Sequence, residues 1–297
     1  EVKEAEKLRQ AGFEDEEILM LRSTTDREEL ERLVDLNVVC SISSVDTGLA
    51  LNALAENRST VVEAHIQVDT GMGFGGFLVG EPEKILLAYR SLPNVALAGI
   101  YTQLHAARVN DPETEQQLSQ FAQVLDTIHK AGFETGMIHA AGSFALLHND
   151  SARMDGVRAG SAILGRCRRT RDDGLTTVGF GEVPLAEVRW LPKGHTVGTD
   201  KPIILRRPTR VAVLPVGYQN GFGVVRPRET GPWAALRQWR RGQRRTVRVG
   251  GDRVRLLGPV GATEILLDVT GVKCSSGDLA VFEIDPLFAR GFIREYR

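Results

Sequence analysis

Along the first half of the chain, short β-branched apolar runs alternate with longer stretches whose apolar positions recur every three to four residues. Strands are predicted at Ile18 to Arg22, Val38 to Val45, Val62 to Asp69, Leu97 to Leu104 and Met137 to Ser143, with a shorter one at Gly156 to Arg158. Helices are predicted between them at Asp26 to Asp35, Asp46 to Glu56, Glu83 to Leu92 and Pro112 to Ala131, several opened by an acidic or hydroxyl cap. Such alternation specifies βα units and a parallel sheet. Six strands fall short of the eight that close a (β/α)8 TIM barrel. The chain opens at Glu1 in helical pattern without a methionine, so two further βα units are expected upstream of it.

After about Thr170 the pattern changes. Short apolar runs at Ala186 to Trp190, Arg210 to Val216, Thr246 to Val249, Ile265 to Val269 and Leu279 to Ile284 are separated by Gly, Pro and Asp turns. The fold class expected is therefore α/β: a TIM-barrel domain over 1–168 followed by a mostly-β C-terminal domain over 169–297. One segment breaks the pattern: Gly231 to Arg245 carries five arginines around Trp233 and Trp239. It reads either as an anion or nucleic-acid contact or as a solvated basic helix, and the second is the ordinary outcome in a chain that is not basic overall.

Composition narrows the function. A net charge of -1 gives no global reason to bind nucleic acid or an acidic membrane, which leaves small-molecule chemistry. Cys40, Cys167 and Cys274 are widely spaced and odd in number, which suits a reducing cytoplasm rather than a disulfide framework. No apolar run approaches the roughly 18 residues needed to span a bilayer.

In a barrel the reacting groups sit at the C-terminal ends of the strands, and several such ends here are distinctive. They are HIQVDTGMGFGGF (His65 to Phe77), GIYTQLHAA (Gly99 to Ala107), IHAAGSFALL (Ile138 to Leu147) and MDGVRAGSAILG (Met154 to Gly165), with VAVLPVGYQNGFG (Val211 to Gly223) in the β-domain. In order and spacing these resemble the motifs of the alanine racemase family, whose members use pyridoxal 5'-phosphate. The resemblance implies a homodimer that interconverts L- and D-alanine, or a related small amino acid, by proton transfer on both faces of Cα. By that likeness Tyr218 is one proton carrier, contributed to the partner's barrel, and Arg158 faces the pyridine nitrogen. Ser143 helps hold the phosphate, with Gly160 and Ser161 offering backbone and hydroxyl donors, as an anion site at element ends requires. No metal is implied. His139 and His105 lie near the same rim, where a histidine beside apolar strands is ordinarily structural.

Departures from the family pattern concentrate at the site. The motif bearing the cofactor-holding lysine has no counterpart after Glu1 and is expected upstream, so isomerase activity depends on that lysine. Gln67 stands where the family has a modified lysine, Phe74 where its arginine partner stands, and Gln103 where a histidine stands. Gly142 replaces an asparagine, while Ala262 and Thr263 replace a methionine and an aspartate at the substrate entrance. A second reading therefore stays open: a non-catalytic or regulatory protein that binds pyridoxal phosphate or an amino acid on the same scaffold.

Overall fold

Helix starts follow their caps. In the computed structural model, which describes residues 1–105, 107, 111–166, 174–198, 202–224 and 246–296, α1 spans Val2–Gln10 and α2 spans Arg27–Asp35. The Asp26 carboxylate accepts from the Glu29 amide at the head of α2. Helix α3 (Val45–Asn57) begins with a reciprocal capping box between Ser44 and Thr47. Proline occupies the first turn of α4 (Pro82–Ser91) and α5 (Pro112–Lys130), where its missing N–H costs nothing. A six-residue helix, α6 (Ser143–His148), follows directly on a strand.

Between these helices run β1 (Ile18–Leu19), β2 (Val38–Ile42), β3 (Val62–Asp69), β4 (Phe77–Leu78), β5 (Val95–Thr102), β6 (Met137–Gly142) and β7 (Gly156–Arg158). The sheet order is β1-β2-β3-β5-β6-β7, with β4 beside β3, and every pairing is parallel. This is a curled half-barrel with its helices outside. Its core joins Ile42, Ala64, Ile66, Ile100 and Ala140 of the strands to Leu33, Leu51, Ile85, Phe121 and Ile128 of the helices, all essentially inaccessible. Burying each large side chain contributes about 1.5–3 kcal/mol. Four predicted strands of the half-barrel end earlier than expected: β1 stops at Leu19 rather than Arg22, and β5 runs from Val95 to Thr102 rather than from Leu97 to Leu104. Strand β2 stops at Ile42 because Ser44 is taken by the α3 cap, and β6 stops at Gly142 because Ser143 starts α6.

Chain contacts separate two compact units, Glu1–Leu175 and Thr176–Arg297. The second is antiparallel: β8 (Phe180–Pro184), β9 (Glu187–Leu191), β10 (Thr196–Val197), β11 (Ile203–Ile204), β12 (Thr209–Leu214), β13 (Val247–Val249), β14 (Asp252–Leu257), β15 (Ile265–Asp268) and β16 (Leu279–Glu283). Seven of these form one sheet in the order β8-β16-β13-β14-β15-β12-β9, and β10 pairs β11 as a separate ribbon. Leu214, Val247, Val249, Leu267 and Phe282 fill its core. The segment Gly231 to Arg245, Cys167 and the 168/169 boundary expected from sequence lie outside the described residues. Among the described residues no helix is long and apolar enough to cross a membrane.

Candidate active site

Arg158 ends β7, in register with Gly142 on β6, so its side chain rises at the C-terminal mouth of the half-barrel. One terminal nitrogen donates to His139 Nδ1 at 2.5 Å and to the His139 carbonyl at 3.1 Å. The other donates to the carbonyls of Thr102 (2.7 Å) and Ala140 (3.2 Å) and to Gln103 Oε1 (2.9 Å). The guanidinium also lies over the Tyr101 ring, 5.3 Å from its centroid. Burial lowers the Arg158 pKa and Tyr101 raises it, yet an arginine remains charged in any protein. Strand-end carbonyls thus take the place of water around this cation, and its position is fixed before any ligand arrives.

Ser143 is the second fixed group. Its Oγ accepts the amides of Gly160 (2.8 Å) and Ala162 (3.1 Å), which ties the head of α6 to the loop after β7. With both lone pairs engaged, its hydroxyl proton is left to donate to a third group. A Cβ placed on Gly142 or Gly160 would meet no atom within 4 Å, so the space beside this donor set is open. Ser161 stands inside the same turn, its carbonyl accepting the Arg166 amide at 2.8 Å. The structure thus brings Ser143, Arg158, Gly160 and Ser161 to one end of β6 and β7. Sequence reasoning missed the Ala162 amide, since a backbone donor leaves no side-chain signal.

Behind Arg158 lies a buried polar stack. His139 Nε2 is 2.9 Å from His65 Nδ1, and Tyr101 stacks on His139 at 4.9 Å. The Tyr101 hydroxyl donates to the Leu21 carbonyl at 2.9 Å and lies 2.9 Å from Ser41 Oγ. Burial, then Arg158, then His65 push His139 down to about 3. Burial lowers His65 against the opposing pull of Glu63, and burial raises Tyr101. His105, by contrast, is exposed and faces Glu113 at 3.6 Å.

At the neighbouring strand end, the Asp69 carboxylate accepts the amides of Gly71, Met72 and Gly73 and closes the loop that follows β3. Gly76 needs its glycine: φ is +120°, and a Cβ would lie 2.7 Å from the Asp69 nitrogen. Gln67 donates to the Gly75 carbonyl at 2.9 Å, so its amide binds the loop rather than a neighbouring side chain. Phe74 is 81% exposed at the loop tip.

In the second unit Tyr218 starts a single 3-10 turn after β12. Its amide donates to the Gly261 carbonyl and that of Gln219 to Ala262, each at 3.0 Å, while the ring is 55% exposed. Gly217 is obligatory there, because a Cβ would lie 2.3 Å from the Ala262 carbonyl. Ala262 therefore serves the turn through its backbone.

A parallel β/α half-barrel with a fixed cation and an anion-type donor set at its C-terminal mouth, joined to an antiparallel β-domain, defines the structural class. Within it the sequence is specific. Residues 1–167 match the alanine racemase N-terminal domain and residues 182–285 the alanine racemase C-terminal domain, and the chain belongs to the alanine racemase family. It is 28% identical over 278 residues to a broad specificity amino-acid racemase of Vibrio parahaemolyticus, covering 91% of this chain and 62% of that protein. It is 30% identical over 228 residues to an alanine racemase of Carboxydothermus hydrogenoformans, covering 73% of this chain and 59% of that protein. The chain thus spans about three-fifths of the length of these relatives. The fold matches the crystal structure of an alanine racemase from D-cycloserine-producing Streptomyces lavendulae with a TM-score of 0.79 at 23% identity, covering 95% of this chain and 72% of that one. It also matches an alanine racemase from Bartonella henselae with covalently bound pyridoxal phosphate, with a TM-score of 0.74 at 22% identity, covering 96% and 75%.

Proposed function

We propose that the protein is a pyridoxal-phosphate-dependent amino-acid racemase acting on alanine or a related small amino acid. One observation carries this reading: Arg158 and the Ser143, Gly160 and Ala162 donor set share one end of adjacent strands. A fixed cation beside a cluster of hydroxyl and amide donors suits a ligand with a hydrogen-bond acceptor at one end and a phosphate at the other. Pyridoxal phosphate fits the donor set: Ser143 and the 160–162 turn hold the phosphate, and Arg158 faces the ring nitrogen. When bound, the cofactor supplies an electron sink that stabilises negative charge at the substrate Cα. Arg158 is a permanent donor, so it keeps the nitrogen it faces free of a proton. Tyr218 carries a proton to and from Cα as a general acid and base, and its exposed ring is supplied to the partner subunit of a homodimer. The buried thiols of Cys40 and Cys274 suit the cytoplasm. A division into a 1–168 barrel domain and a 169–297 β-domain is likewise proposed, and so is the absence of a nucleic-acid partner.

A second reading, a non-catalytic binding or regulatory protein, is favoured by Gln67, Phe74 and Gln103, which stand where the family motifs carry a carbamylated lysine, its arginine partner and a histidine. Every lysine of the first unit, Lys3, Lys7, Lys84 and Lys130, lies on a helix. One experiment separates the two readings. The full-length gene product loaded with pyridoxal phosphate is expected to show a visible absorption band that borohydride abolishes, and to racemise alanine in a chiral assay. A band without racemisation of any small amino acid sinks the enzyme and leaves the binding protein. No band at all removes the enzyme and the pyridoxal-phosphate-binding protein, and leaves a protein that binds an amino acid alone.

A further inference from the structure

Arg158 has only N–H groups to offer, so His139 Nδ1, 2.5 Å away, must be an unprotonated acceptor. The His139 proton then sits on Nε2, which faces His65 Nδ1 at 2.9 Å, and His65 Nδ1 must in turn accept. Arg158 and His65 therefore demand the same His139 tautomer from opposite sides of its ring. If His65 presented a proton at Nδ1, two donors would face each other, and His139 could relieve that only by taking its proton to Nδ1, where Arg158 needs a lone pair. Both rings are buried, at 2% and 3% exposure, so water cannot substitute for either partner. A second feature serves the same ring. A Cβ on Gly99 would lie 2.5 Å from His65 Cε1 and 2.7 Å from both ring nitrogens, so glycine on β5 makes the room that His65 occupies.

We propose that His65, seated against Gly99, is a positioning residue that holds His139 in its Nε2–H form and thereby aims the Arg158 guanidinium at the mouth of the barrel. The proposal rests on Arg158 facing the cofactor ring as described above. It adds a buried histidine two bonds further in, which touches neither cofactor nor substrate. The charged and titratable groups around the pair are Arg158 from β7, Tyr101 from β5 and Glu63 from β3.

Histidine ring nitrogens of the 15N-labelled full-length protein, read by long-range proton-nitrogen correlation between pH 8 and 5.5, test this without any assay of turnover. Both His65 and His139 are expected as neutral Nε2–H rings throughout. A His139 proton on Nδ1, or titration of His139 above pH 6, overturns the proposal. His65→Leu removes the acceptor and should disturb the His139 signals and weaken pyridoxal phosphate binding about tenfold, on the scale of a lost buried hydrogen bond. His65→Asn keeps an oxygen acceptor near the Nδ1 position and should restore both. Gly99→Ala should reproduce the His65→Leu spectrum with the histidine intact. Unchanged His139 signals in His65→Leu sink the proposal, as does a folded His65→Asn no better than His65→Leu. If His65→Leu does not fold, the native spectrum and His65→Asn decide. Failure of the racemase reading would leave the ring spectra unchanged, so the two outcomes stay distinct.

Discussion

His139 makes a pH effect measurable at the scale of a single residue. In the fold it titrates at about 3, pushed down first by burial and then by Arg158 and His65, against an ordinary 6.5. Between those values the unfolded chain binds the extra proton and the folded chain does not. The contribution is therefore fully present above about pH 6.5 and is lost as pH falls towards 3. From pH 7 to pH 5 the loss is about 2 kcal/mol, and the lowered His65 acts in the same direction. Denaturant midpoints of the native protein should fall accordingly over that range, and His139→Gln should flatten the slope. Equal native midpoints at pH 7 and pH 5 would mean the ring is not held neutral. Arg158 and Ser143 were singled out in the sequence because the motifs around them, MDGVRAGSAILG and IHAAGSFALL, resemble those of the alanine racemase family. His65 was not, since a lone histidine in an apolar strand looks the same whether it packs or positions. The contact from Arg158 to Gln103 was likewise hidden, because it joins residues 55 apart in sequence.

Gly217 isolates a packing effect at the scale of an element. Its φ is -145°, which any residue can adopt, so the only obstacle to a side chain is the strand-end loop against it. Gly217→Ala would drive a Cβ to 2.3 Å from the Ala262 carbonyl and 2.4 Å from that of Gly261, the groups that anchor Tyr218 and Gln219. Overpacking of this kind costs typically about 1–3 kcal/mol. Gly217→Ala should lower the denaturant midpoint accordingly, whereas Gly142→Ala, which meets open space, should leave it nearly unchanged. Equal effects of the two would show that the turn is not clamped. The same contrast explains which elements the sequence revealed. Strands β2, β3, β5 and β6 are buried runs of β-branched and small residues, and they read directly. Strand β14 (DRVRLL) has one buried position and two arginines, and β8 ends in a proline, so neither carries a pattern. The two-residue strands β4, β10 and β11 are too short to have a period at all.

At the scale of the whole molecule, a site shared between two chains is predicted by the proposed role of Tyr218. Its ring is 55% exposed within a turn clamped to its own β-domain, so the side chain is held out towards whatever adjoins that surface. If that is the barrel of a second subunit, each site takes Arg158 from one chain and Tyr218 from the other, as an isologous dimer allows. Sedimentation of the full-length gene product at micromolar concentration should then show a dimer. Tyr218→Phe alone should cost about 10²- to 10⁴-fold in turnover while leaving cofactor absorption intact, the usual contribution of a general acid-base group. Arg158→Ala should also be inactive. Unfolding and refolding the two variants together gives mixed dimers as half of the population, and each mixed dimer has one intact site if Tyr218 acts across the interface. Activity should return to about a quarter of the native level. If Tyr218 served its own barrel, no mixed dimer would contain an intact site and the mixture would stay as inactive as its parents. That result would overturn the shared site while leaving Tyr218 itself in the reaction.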